Sequence, residues 1–141
     1  MNPSKTDGER NGRTFSIASA PNEDMLLAAT RMRDTAFKRV LGITPIGSRV
    51  KIEGPFGNLV LHNDQAKAVV FLAGEIGITP FRSILLRVAS EQLSHRLFLF
   101  YANRRTEDAS FLEDLQVMQR HNLEYTFVAT MTDMGRSHRP W

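Results

Sequence analysis

Four short stretches carry the residues best suited to chemistry. Arg13-Thr14-Phe15-Ser16 sets a guanidinium, an aromatic ring and a hydroxyl in one run. Those groups pair with a phosphate, stack on a planar ring and donate to a phosphate oxygen; they equally suit a strand with Phe15 in a core and Arg13 as a solvated edge charge. Arg31, Arg33, Thr35 and Lys38 gather basic and hydroxyl groups where a strand would end and a helix begin. Helix N-termini expose unpaired N–H groups, so this is a natural phosphate site, although a solvated basic face has the same composition. Ala73-Gly74-Glu75-Ile76-Gly77-Ile78-Thr79-Pro80 joins an apolar run to a periodic segment. In that strand-turn-helix context, backbone N–H groups and the helix dipole would hold a pyrophosphate at the turn of Gly74, Gly77, Ile78, Thr79 and Pro80. Tyr101-Ala102-Asn103-Arg104-Arg105 follows the next apolar run. In a parallel sheet its end lies on the same rim as the glycine turn, where Arg104 and Arg105 would hold a further phosphate or form a solvated loop.

The elements that must position these groups fall into two textures. Residues 1–12 are polar and read as a flexible lead-in. Arg13–Ser19 alternates with Phe15 and Ile17 on one face, and Met25–Arg31, Val50–Ile52 and Leu59–Leu61 read as further short strands around the turn Gly54-Pro55-Phe56-Gly57. Thr35 before Ala36–Leu41, with Gly42 after it, has the cap, length and terminal glycine of a short helix. From residue 64 the pattern changes to a buried strand at Ala68–Ala73 and a helix from Thr79 with Phe81, Ile84, Leu85 and Val88 on one face. A strand at Leu97–Tyr101 follows, then a helix with Glu107 and Asp108 in its first turn and Phe111, Leu112, Leu115 and Met118 on its apolar face, then a strand near Glu124–Ala129. This β-α-β-α-β order predicts a parallel sheet with right-handed crossovers. Both halves have too few strands to close their edges, so the sequence reads as an internal piece of a longer protein.

Composition removes several function classes. The 141 residues include no cysteine, which excludes disulfides, thiolate zinc sites, cysteine-ligated clusters and a cysteine nucleophile. Redox chemistry would therefore come from a bound organic cofactor. Lys and Arg number 18 against 15 Asp and Glu, spread along the chain, so nucleic acid is not the expected partner. His62, His95, His121 and His138 have no paired ligand spacing, and Ser83 and Ser90 have no base beside them, so neither a metal nor a catalytic nucleophile is expected. The longest apolar run is far below the ~20 residues that cross a bilayer, and residues 1–12 hold no signal-peptide core. The expected location is cytoplasmic, away from membranes.

In their order, these motifs resemble the ferredoxin-NADP reductase superfamily of flavin-dependent NAD(P)H oxidoreductases, over nearly everything from Arg13 to Trp141. The resemblance implies a partial flavin-binding antiparallel β-barrel over 13–63 and a partial Rossmann-like parallel βαβαβ nucleotide-binding domain over 64–141. It implies Arg13, Phe15 and Ser16 at the flavin, with Phe15 against its ring and Ser16 on a phosphate, and Arg33, Thr35 and Ala36 at a flavin pyrophosphate. The turn Glu75–Pro80 would bind the nicotinamide dinucleotide, and Asn103, Arg104 and Arg105 would meet the adenosine ribose and any 2'-phosphate. The implied cofactor is FAD ahead of FMN, with NAD(P)H as substrate and a separate electron acceptor. The two arginines lean toward NADPH. Glu75 stands where the family has the first glycine of the turn, and the start of the barrel and the end of the nucleotide domain are missing, so a non-catalytic nucleotide-binding or regulatory module is the competing reading.

Overall fold

The computed structural model describes residues 12–122 and 124–136, and the chain divides into two compact units, Met1–Phe15 with Thr30–Asn58 and Ser16–Ala29 with Leu59–Trp141. In the smaller unit the one regular element among the described residues is helix α1 (Ala36–Ile43), capped as its sequence predicts. Thr35 is extended, and its hydroxyl oxygen accepts from the Lys38 N–H at 3.4 Å. Gly42 lies inside the helix; the stop comes two residues later, where the Thr44 hydroxyl donates to the Val40 carbonyl at 2.7 Å.

The predicted antiparallel barrel over 13–63 does not form. Among the described residues of this stretch the one antiparallel pairing is an isolated bridge, Ile17 with Ala28, supported by the Ala18 N–H donating to the Leu27 carbonyl at 2.8 Å. Val50, Ile52, Leu59 and Val60 lie in extended chain without a ladder, all more than half exposed. The physical reason is pairing. Alternation says which side chains share a face, but a strand persists only where neighbouring backbone satisfies its N–H and C=O groups and a facing layer buries its apolar side chains. Val50, Ile52, Leu59 and Val60 are paired in no ladder and remain exposed. The sheet that does form is parallel and open.

That sheet belongs to the larger unit and consists of β1 (Val69–Gly74), β2 (Leu97–Asn103) and β3 (Tyr125–Met131) in the order β1-β2-β3, parallel throughout. Helix α2 (Thr79–Ser90) links the first pair and α3 (Leu112–His121) the second. Phe71, Leu99 and Phe127 are register partners across the sheet and share one face with Ala73, Leu97, Tyr101 and Tyr125. Leu85 and Val88 of α2 and Leu115 of α3 pack with that face into one core. Phe81 adds an aromatic contact to Phe71, with ring centroids 4.9 Å apart.

The opposite face carries Val70, Leu72, Phe100 and Val128, all exposed. The run that reads as a fully buried strand is thus half-buried, its alternate side chains divided between a covered and an uncovered face. Among the described residues no helix is long and apolar enough to cross a membrane.

The two faces predict opposite responses to truncation. Leu99 is fully buried on the central strand, whereas Leu72 is 73% exposed. Leu99→Ala should cost about 3 kcal/mol through lost transfer energy and the cavity left behind. Leu72→Ala should stay within about 0.5 kcal/mol, as surface changes do. Denaturant melts of both variants check this; equal losses would mean that the bare face is covered in solution.

Candidate functional site

β1 ends at Gly74, which is extended and paired in register with Ala102, and the chain then turns through a 3-10 segment, Glu75–Ile78, into α2. Pro80 lies in the first turn of the helix, where its missing N–H costs no hydrogen bond. The turn is tied down from beneath. The Tyr101 hydroxyl, fully buried on β2, lies 3.0 Å from the Glu75 carbonyl and 3.3 Å from that of Ser110, so its single hydrogen joins the two βα turns. The Thr79 hydroxyl donates to the Ile76 carbonyl at 3.2 Å, and Ile78 is fully buried. Thr79 and Ile78 therefore shape the turn from inside, while Gly77 leaves its outer surface open: a Cβ there would meet nothing within 4 Å.

Glu75 has φ 48°, in the left-handed region that glycine occupies freely and that other residues adopt at a cost of about 1–2 kcal/mol. The glutamate occupies a backbone conformation that calls for glycine.

The other half of the rim is the end of β2. A shallow depression lined by Leu72, Ala73, Gly74, Phe100, Tyr101, Ala102 and Thr130 lies at the C-terminal ends of the strands, beside the start of the turn. Asn103 closes β2 with its side chain turned inward, 3% exposed, and neither amide atom has a hydrogen-bond partner. Arg104 and Arg105 leave the strand for a 3-10 turn, Thr106–Asp108. Arg105 is held in a two-pronged pair with Asp108, at 3.0 and 3.3 Å, and this hydrogen bonding raises its pKa further. Arg104 reaches the Asp133 carboxylate at 3.7 Å. The structure thus brings Gly74, Gly77, Ile78, Thr79, Pro80, Asn103, Arg104 and Arg105 to one rim, with Thr79 and Asn103 facing inward. Glu107 and Asp108, expected in the first turn of α3, form this separate turn instead; Glu113 and Asp114 occupy the helix start.

Arg82 is a residue that no motif singles out. It follows Thr79 by three positions, so it falls on the buried side of α2, 8% exposed. One guanidinium nitrogen donates to the Ala18 carbonyl at 2.8 Å and to Glu23 at 3.0 Å; the other donates to Glu23 at 3.2 Å and to Asp114 at 3.4 Å. The Phe111 ring lies 4.9 Å from the guanidinium carbon. Beside it the Ser83 hydroxyl donates to the Ser19 carbonyl at 2.7 Å. The helix that leaves the glycine turn thereby fixes the segment 18–23.

Of the remaining predicted residues, Arg13, Phe15, Arg33 and Thr35 lie in the smaller unit and Ser16 in the larger. Phe15 packs against Phe37 with centroids 6.0 Å apart, and the Arg13 guanidinium stands 5.3 Å from the same ring. Thr35 is the cap of α1, and Arg33 and Ser16 are exposed.

Residues 71–140 match the family described as Oxidoreductase NAD-binding domain. Over 131 residues the chain is 24% identical to the terephthalate 1,2-dioxygenase reductase component 2 of Comamonas sp, covering 92% of this chain and 38% of that protein. It is 27% identical over 127 residues to ferredoxin–NADP reductase B of Sorangium cellulosum, covering 89% and 52%. Among solved structures, the Amycolatopsis cytochrome P450 reductase GcoB superposes with TM-score 0.72 at 22% identity, over 89% of this chain and 39% of that one. The Malassezia yamatoensis flavohemoglobin superposes with TM-score 0.75 at 14% identity, over 89% and 34%. The chain spans about 38% of the length of the first curated relatives that it matches.

The Arg82 anchor predicts an acid-sensitive stability. Hydrogen bonding from Arg82, followed by that from the Ala20 N–H, holds the Glu23 carboxyl below its ordinary value. A carboxyl depressed in the fold stabilises it fully above the unfolded value of about 4.3 and ceases to do so as pH falls through the folded one. Melting curves of the parent and Glu23→Gln should differ most near neutrality and converge in acid. A gap that does not change with pH would mean that the carboxylate charge is irrelevant.

Proposed function

We propose that this chain, which belongs to the ferredoxin-NADP reductase-like family of NAD(P)H and flavin oxidoreductases, binds a reduced nicotinamide dinucleotide on the C-terminal rim of its parallel sheet and delivers its hydride to a flavin. The observation that carries this reading is the path of the chain at Gly74. There β1 stops beside Ala102, turns without a side chain at Gly77, and enters a twelve-residue helix whose positive dipole end lies at the turn. Such an end favours a pyrophosphate through the helix dipole.

On this reading Gly74, Gly77 and Ile78 supply backbone to the pyrophosphate, while Thr79 and Pro80 set the angle at which α2 leaves. The nicotinamide end lies over the depression at Gly74, Phe100 and Thr130, whose apolar side chains would face the ring. No protein acid or base is needed, because a hydride carries both electrons and moves without a separate proton. Binding and orientation are the protein's share of the work.

For the flavin, the donor set of residues 13–35 suits a phosphate and a planar ring: the cations Arg13 and Arg33, the hydroxyls Ser16 and Thr35, and the Phe15 ring. The flavohemoglobin of Malassezia yamatoensis is described with bound FAD, which puts FAD ahead of FMN here. A bound flavin would supply the step from two-electron to one-electron chemistry, releasing electrons to an acceptor that lies outside this chain. We place the functional division near residue 63, with flavin contacts before it and nucleotide contacts after it.

A second reading, a nucleotide-binding module without turnover, is favoured by one observation: Glu75 puts a carboxylate and a left-handed non-glycine residue in the turn itself.

Two experiments decide between these readings. Purified protein with visible flavin absorbance that bleaches on adding NADH or NADPH supports the oxidoreductase, and Phe15→Ala and Ser16→Ala should each lower flavin occupancy in the whole protein. Colourless protein that still binds nucleotide supports the module. For the turn, Glu75→Gly should tighten NADH binding on the order of threefold to tenfold. Glu75→Gln, which keeps the bulk and the backbone conformation but removes the charge, separates the two causes, and only the charge contribution should shrink with added salt. Identical affinities in all three proteins would remove the dinucleotide from this turn.

A further inference from the structure

Two arginines at a strand end look like a site for a 2'-phosphate, but here their guanidinium groups already hold acidic partners. Arg105 carries the tighter pairing. The 3-10 turn Thr106–Asp108 folds Asp108 back, its N–H donating to the Arg105 carbonyl at 3.1 Å, so the carboxylate meets the guanidinium in a fork-to-fork pair at 3.0 and 3.3 Å. Glu107 stands 3.7 Å from the remaining nitrogen. All three side chains are mostly sheltered, with exposures of 35% for Arg105, 23% for Glu107 and 18% for Asp108.

Arg104 is more open, at 63%, and its contact with Asp133 is a single one at 3.7 Å. Asp133, however, is fixed by its backbone, since its N–H donates to the Arg104 carbonyl at 2.7 Å and ties the loop after β3 to the loop after β2. In these two loops, 104–108 and 132–136, the cations Arg104, Arg105 and Arg136 stand against the carboxylates Glu107, Asp108 and Asp133. Their charges balance, so among the described residues these two loops offer no cationic excess.

A phosphate monoester carries a charge of about −1.5 to −2 at neutral pH. Placed at Arg105, it would have to displace Asp108 from a two-pronged pair and then remain beside the displaced carboxylate. At Arg104 it would meet Asp133. A ribose with free hydroxyls brings no charge and needs neither pair broken.

We infer that Asp108, with Glu107 and Asp133, closes Arg104 and Arg105 to a 2'-phosphate, so that the dinucleotide taken at this rim is NADH rather than NADPH. This rests on the dinucleotide reading given above and reverses the preference that two arginines suggest in the sequence.

The test is a pair of fluorescence titrations, with NADH and with NADPH, on the parent protein, Asp108→Asn and Arg105→Gln at one ionic strength. The parent should bind NADH more tightly by on the order of tenfold. Asp108→Asn, nearly isosteric, frees the Arg105 fork and should narrow that ratio severalfold, mainly by improving NADPH. Arg105→Gln should leave NADPH binding within about twofold, because the parent does not use this side chain for phosphate. Equal or tighter NADPH binding by the parent, a selective loss of NADPH in Arg105→Gln, or an unchanged ratio in Asp108→Asn would each overturn the inference while leaving the dinucleotide site in place. Binding of neither nucleotide by any of the three proteins would instead strike the dinucleotide reading itself, and this inference with it.

Discussion

Successive crossovers made in one direction along a parallel sheet put their helices on the same face and their turns on the same rim, and most of this structure follows from that constraint. The order β1-β2-β3 is the simplest case, with each strand laid beside the one before it. Both α2 and α3 therefore cover the face of Phe71, Leu99 and Tyr125, leaving Val70, Leu72, Phe100 and Val128 bare. The same geometry brings the end of β1 and the end of β2 side by side, although their residues lie well apart in sequence. A rim built in this way gathers backbone N–H groups, small residues and charges before any side-chain specificity is added.

Two side chains turn that arrangement into a fixed site. Tyr101 reaches from the core to the carbonyls of Glu75 and Ser110, so the two turns cannot move independently without losing a buried hydrogen bond. Arg82 does the same on the outer side, holding Ala18 and Glu23 to the helix that follows the glycine turn. A guanidinium that is 8% exposed is tolerable only because carbonyl, carboxylates and an aromatic face surround it; with fewer partners its desolvation would be uncompensated. The segment 18–23 and the glycine turn are in this way parts of one hydrogen-bonded frame.

The sequence was informative where a local period sufficed. Phe71, Leu85, Val88, Leu99 and Leu115 follow patterns that any window of a dozen residues reveals, and Thr79-Pro80 marks the start of a helix by its own chemistry. It was uninformative where pairing was nonlocal. Val50, Ile52, Leu59 and Val60 have the composition of strands, but whether a neighbour satisfies their backbone cannot be read from them. Arg82 was hidden because a charge at a core position reads as a surface residue until its partners, from another part of the chain, are known. The acidic turn misled for a related reason. Glu107 and Asp108 precede an apolar period, but Phe111 takes a left-handed φ of 61° and starts α3 later, which leaves the carboxylates free to turn back toward Arg105.

The polar chemistry of the rim therefore separates into two kinds. Around the turn, the attractive element is the positive dipole end of α2, and the one charge in the turn, Glu75, has the sign of the proposed ligand. Along the ends of β2 and β3, arginines and carboxylates balance. On the proposed reading, an anionic ligand would be selected where the chain turns into a helix, and not by a long-range positive field. Field-driven binding would favour every polyanion and weaken steeply with salt, whereas donor geometry favours a pyrophosphate of one length and tolerates salt. The left-handed glutamate fits this scheme. Its cost falls on the backbone of the turn that the proposed ligand would meet.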